Sequence, residues 1–136
     1  MPPVAAVLSS IDCINRGDLS GLVALMTDDH RLEVLDEAPV AGREANEQAW
    51  HGYFSAFPEY VIYPWRIAER GPEVAVLGTT TGSHLDLPDE TEKALAVIWV
   101  AEVHEGRLRR WRILEATPEN QAQFALDRRP FEAAEA

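Results

Sequence analysis

The stretch Asn15-Arg16-Gly17-Asp18-Leu19-Ser20-Gly21-Leu22-Val23-Ala24-Leu25-Met26-Thr27-Asp28-Asp29 constrains this chain most. Gly17 stops a first helix, because glycine enters the left-handed region without a Cβ penalty, and Asp18 stands where it can cap a second. The second helix is short. It buries Leu22, Leu25 and Met26, ends near Thr27 and passes through an acidic turn into a strand. Upstream, Pro2 and Pro3 open the first helix, and Val4, Val7, Leu8, Ile11 and Ile14 recur at steps of three and four. That spacing makes one apolar stripe, and a stripe needs a sheet or another helix to cover it.

The remainder reads mostly as strand. Arg31 to Asp36 alternates, with Leu32 and Val34 on one face, and Glu37 to Gly42 is a loop. A third helix runs from Arg43 to Phe57 with Trp50, Tyr53, Phe54 and Phe57 on one side, and Pro58 ends it. Strands follow over Tyr60–Glu69 and Val74–Leu85, the second with Gly78 and Gly82 marking bends or bulges. Leu87 to Glu90 is a turn, and the acidic run Asp86 to Glu92 is expected to be a solvated loop. Ala94 to Val103 is almost continuously apolar, so this strand is expected to hide both faces. Glu105-Gly106 turns the chain into an alternating partner strand with Arg110 and Arg112 on one face and Trp111 and Ile113 on the other. Thr117, Pro118 and Asn120 start a short last helix carrying Phe124 and Leu126, and the tail after Arg129 is expected to fray.

The order of elements predicts an α+β domain over residues 1–136. A curved, mostly antiparallel sheet forms a cone-shaped barrel, with the three N-terminal helices on its concave face. The net charge of −11, from 12 basic and 23 acidic residues, repels phosphate backbones and anionic lipid. Nucleic-acid and membrane roles are therefore not expected. No signal-peptide pattern or membrane-length apolar run is visible, and the single cysteine, Cys13, allows no internal disulfide. A cytoplasmic location is the expectation.

On the Asn15–Asp29 segment, on Glu69-Arg70-Gly71-Pro72 followed by Gly82-Ser83-His84, and on Gly106-Arg107-Leu108, the chain resembles the SnoaL-like (polyketide cyclase-like) group of the nuclear transport factor 2-like superfamily. The resemblance spans Val4 to Leu126. It implies a cone-shaped pocket for small, mostly apolar molecules and a homodimer through the convex sheet face. Ala96, Ile98 and Val100 alternate with Val97, Trp99 and Ala101, and both rows are apolar, so one faces the interior and the other would need a partner.

The resemblance also locates where the relatives keep their catalytic groups. The ketosteroid isomerase base falls on Val34, their tyrosine on Ser10 and their oxyanion-hole carboxylate on about Trp99. The carboxylate of the SnoaL-like cyclases falls on Ile113, and their histidine near Trp99. The Asp-Arg-Asp group of limonene epoxide hydrolase has no counterpart. Asp36 and Glu115, each two residues further along its strand, remain as displaced carboxylates for proton transfer next to a carbonyl; the alternative is that both are solvated strand ends. His84 is either an acid, base or hydrogen-bond donor at the pocket mouth or a solvated strand-end residue. His30 and His51 are expected at the surface, and no metal site or cofactor is expected.

Trp50, Tyr53, Trp99 and Trp111, with Val34 and Ile113, are the candidate ligand-binding residues, and two or three of the four aromatics are expected to line the cavity. The expected function is binding of a small apolar molecule. The enzymatic form is a cofactor-free isomerase, cyclase or dehydratase acting on a carbonyl compound such as a polyketide. The alternatives are a non-catalytic binding module and a dimeric interaction scaffold. A pocket plugged by tryptophans would favour the scaffold, and an open pocket with an inward carboxylate would favour the enzyme.

Overall fold

A computed structural model of the chain describes residues 1–127. The expected fraying after Arg129 lies outside the described residues. Helix α1 (Pro3–Arg16) buries Val7, Ile11 and Ile14, and it stops at Gly17, whose φ of 64° is left-handed. The amides of Gly17 and Asp18 return to the carbonyls of Ile14 and Cys13, which satisfies the last turn. Asp18 then caps α2 (Leu19–Ala24) by accepting from the Gly21 amide at 3.0 Å. Helix α1 is also stitched to the sheet. The Asn15 amide side chain donates to the Ile62 carbonyl at 3.0 Å and accepts from its N–H at 2.8 Å, as a neighbouring strand would.

The sheet contains β1 (Met26–Val34), β2 (Val40–Ala41), β3 (Val61–Arg70), β4 (Glu73–Thr81), β5 (Val97–His104) and β6 (Arg107–Glu115), in the order β2-β1-β6-β5-β4-β3. Four pairings are antiparallel and β1 with β6 is parallel. Strand β1 begins five residues earlier than its sequence pattern indicates. Asp28 and Asp29 project to solvent while their backbone is in strand conformation, so polarity hid the strand. Glu105 and Gly106 both adopt positive φ in the β5–β6 hairpin, as a tight two-residue turn requires. Gly78 faces the register shift in β3, where an added Cβ would lie 2.2 Å from the Tyr63 carbonyl oxygen.

Helix α3 (Arg43–Ala56) packs over β1 and β2, and α1 packs across β3 to β6, so helices cover one face of the curved sheet. On that face Val76, Trp99 and Ile113 lie side by side on neighbouring strands, as do Val74, Ala101 and Trp111. On the opposite face Ala75, Leu77, Ile98 and Val100 are buried beneath Phe124 and Leu126, which follow the short helix α5 (Pro118–Gln123). Strand β5 does hide both faces, as its unbroken apolar run predicts. Its outer row is covered within the chain by Phe124 and Leu126.

The acidic run after β4 departs most from its sequence reading. Residues Asp89–Glu92 form one helical turn, α4, and Glu92 is 1% exposed rather than solvated. His30, expected at the surface, is also buried. Its Nδ1 lies 2.8 Å from the Leu108 carbonyl, and its own carbonyl accepts from Gly42 and Asn46. Among the described residues no helix is long and apolar enough to cross a membrane.

Candidate functional site

A cavity of about 370 Å³ opens between α3 and the β1–β6 part of the sheet. One wall is aromatic. Trp50, Tyr53 and Phe57 project from α3 at helical spacing, and Tyr60 joins them from the segment before β3. The other wall is aliphatic, with Leu32 and Val34 from β1, Val40 from β2 and Ile113 from β6. Parallel pairing sets Val34 directly beside Ile113, which is why the two share a wall. Glu37, Ala38, Ala49 and His84 complete the lining, and Glu37 is the only carboxylate among the lining residues.

Tyr53 is the hub of the aromatic wall. Its ring centre lies 4.8 Å from that of Phe57, 5.0 Å from Tyr60, 5.8 Å from His84 and 6.0 Å from Trp50. Its hydroxyl is 2.9 Å from His84 Nδ1 and accepts from the His84 backbone N–H at 3.3 Å. A phenol oxygen can accept twice, so the 2.9 Å contact is made either by the phenol donating to Nδ1 or by an Nδ1–H donating to the phenol. Burial pushes the Tyr53 hydroxyl above its ordinary pKa, and the nearby Glu92 carboxylate pushes the same way against the His84 amide. Burial likewise raises Tyr60. Both phenols are therefore neutral donors at physiological pH.

The expected site residues divide into three groups. Val34, Trp50, Tyr53, Ile113 and His84 come together at the cavity. Trp99 and Trp111 do not reach it; they are buried in the core on the same face of the sheet. Asp36 and Glu115 are exposed and lie outside the lining. Asp36 was expected to share the face of Val34, but β1 ends at Val34. The chain then turns at Leu35, which has φ of 38°, and the Glu37 amide bonds back to the Val34 carbonyl. The alternation is lost at that point, and Glu37 lines the cavity instead. Glu115 keeps the face of Ile113 but stands at the end of β6. His84 belongs to a turn after β4 rather than to a strand, because β4 ends at Thr81. The cavity is open and no tryptophan plugs it.

Sequence reasoning missed Glu37, Tyr60 and Glu92 at or behind the site. Tyr60 carried a usable signal, since it is an aromatic two residues after the proline that ends an aromatic-faced helix. Glu92 carried none, because its neighbours Asp89, Glu90 and Lys93 describe a solvated segment. Among the described residues, no three His, Cys, Asp or Glu side chains gather as metal ligands.

The sequence matches the SnoaL-like domain family over residues 7–111, and the chain belongs to that family. No curated protein sequence matches it. Solved structures with the same fold include a putative polyketide cyclase from Sinorhizobium meliloti, 22% identical over 84% of this chain and 95% of its own, with a TM-score of 0.68. TerC, crystallised with polyporic acid, is 16% identical over 93% of this chain and 100% of its own, with a TM-score of 0.70. An LEH-like epoxide hydrolase from M. tuberculosis is 17% identical over 82% of this chain and 80% of its own, with a TM-score of 0.64. At these identities the likeness establishes the nuclear transport factor 2-like fold.

Proposed function

We propose that the cavity binds a small, largely apolar molecule bearing a carbonyl or phenolic oxygen, and that Tyr53 and His84 hold or move a proton at that oxygen. The observation that carries this reading is the 2.9 Å Tyr53–His84 contact on the lining of an otherwise apolar cavity. With the proton on Nδ1, the imidazole donates to the phenol oxygen and leaves the phenol's own proton free for a ligand, replaceable from the ring. The contact is exposed, so the pair meets a ligand's oxygen at the mouth of the cavity while the apolar walls hold the rest of the molecule. The reaction type consistent with this pair is cofactor-free isomerisation, cyclisation or dehydration next to a carbonyl, with Glu37 as the carboxylate nearest the bound molecule. The polyporic acid with which TerC was crystallised and the likeness to a putative polyketide cyclase from S. meliloti support that substrate class.

A non-catalytic binding module is the second reading. It is favoured by the two apolar residues, Val34 and Ile113, at the positions where the resemblance locates catalytic carboxylates. Purified protein turning over a carbonyl substrate, with loss of turnover in Tyr53→Phe and His84→Gln, would support the enzyme. Binding that survives in those variants without any turnover by the native chain would support the module.

The homodimer belongs to the same proposal on changed ground. Ile98 and Val100 are already covered, so within the described strands the large exposed apolar side chains left for a second copy are Tyr63, Trp65 and Ile67 on the edge strand β3. A cytoplasmic location is part of this reading as well, resting on the single cysteine.

A further inference from the structure

Glu92 is a buried carboxylate outside the cavity that the proposed chemistry does not use. Its side chain accepts from the Thr80 hydroxyl near the end of β4 and from the Ser83 amide at 3.4 Å. Ser83 is the residue before His84, and its own hydroxyl accepts from the Leu85 amide at 3.2 Å, so the turn that presents His84 is bonded on both sides of the histidine. The turn is also pinned from outside. Gly82 has φ of 70° and lies so close to Glu59 that an added Cβ would be 2.5 Å from its carbonyl oxygen. Helix α4 is a single turn with little other purchase on the fold. A carboxylate that is 1% exposed is costly to bury, and what it gains here is contact with the segment that carries His84.

We propose that Glu92 is a positioning residue for the Tyr53–His84 pair, fixing the Gly82–Leu85 turn so that the imidazole meets the phenol. This rests on reading that pair as functional, and it assigns a purpose to the acidic helix α4. Glu92 does not line the cavity; its hydrogen bonds run to Thr80 and Ser83, and only its charge reaches Tyr53. The arrangement follows a general pattern in which a residue behind the site locks the geometry of one in front of it.

The test is nuclear magnetic resonance on the ¹⁵N-labelled full chain, following the imidazole nitrogens of His84, assigned with His84→Gln. Tyr53→Phe provides the signature of a broken contact. Glu92→Ala should move the His84 Nδ1 signal to that same position, with near-ultraviolet circular dichroism still native. Glu92→Gln keeps one acceptor oxygen and should restore the signal at least halfway. Thr80→Val, which removes the donor to Glu92, should shift the signal in the same direction, and it carries the test if Glu92→Ala does not fold. A signal unchanged in the Glu92 and Thr80 variants but moved by Tyr53→Phe would overturn the positioning role and leave the functional reading of the pair intact. A signal that Tyr53→Phe itself does not move would mean there is no pair to position, and both readings would fall.

Discussion

At the residue scale, the account depends on a few side chains in unusual surroundings. Gly82 must keep a left-handed backbone and a close approach to Glu59. Gly82→Ala should therefore cost at least about 1–2 kcal/mol, and urea unfolding measures it; an unchanged midpoint would show that the turn is looser than described. His30 offers a pH prediction with a definite sign. Burial holds its pKa below the ordinary 6.5, only partly offset by the bond to Leu108. The unfolded chain therefore binds a proton that the folded chain refuses. Stability from this group is full above about pH 6.5 and is lost as pH falls below it. In His30→Gln that slope should flatten between about pH 7.5 and 5.5. Equal slopes in the two proteins would contradict the buried, neutral assignment.

At the element scale, the strands and helices that bury side chains were legible in the sequence, and those held by backbone contacts were not. Strand β5 announced itself because two buried faces leave an unbroken apolar run. Helix α1 and its stop at Gly17 were equally plain. The first half of β1 was not, since Asp28 and Asp29 are exposed while their backbone lies in a strand. Asp36 was misplaced for a related reason. Alternation continues on paper past Val34, whereas the chain turns at Leu35, and no side-chain pattern records a positive φ on a leucine. The junction of β1, β2 and α3 depends on Asn46, which is fully buried. Its Nδ2 lies 3.1 Å from the carbonyl of His30, 3.0 Å from that of Val40 and 2.8 Å from that of Gly42. Asn46→Ala should cost about 1–3 kcal/mol by removing the side-chain donor these three carbonyls share, and should loosen the aliphatic wall that β1 and β2 supply. A stability change below half a kilocalorie, roughly the scatter of surface substitutions, would show that water replaces it freely.

At the scale of the whole molecule, sheet and helices close on one cavity whose two walls differ in chemistry. The fold and most of the lining were readable from spacing and family resemblance, because both depend on where apolar residues recur. The polar part was less readable. The Tyr53–His84 contact joins a helix to a turn 31 residues away, and Glu92 folds back from a segment that looks solvated. The same scale holds the question of assembly. Light scattering at micromolar concentration should give the mass of a dimer that Trp65→Ser weakens. A monomeric mass in the native chain would remove the edge strand as an interface.

The most direct measurement of the central claim is a thermal-shift comparison of matched ligand pairs, each a flat apolar carbonyl or phenol and its counterpart lacking that oxygen. At a hundred times its dissociation constant a ligand stabilises the fold by about 2.7 kcal/mol. The account predicts that the oxygen-bearing member shifts the native protein more than its counterpart, and that Tyr53→Phe removes the difference while keeping the apolar binding. Equal shifts for both members in the native protein, or no shift for any pair, would contradict it.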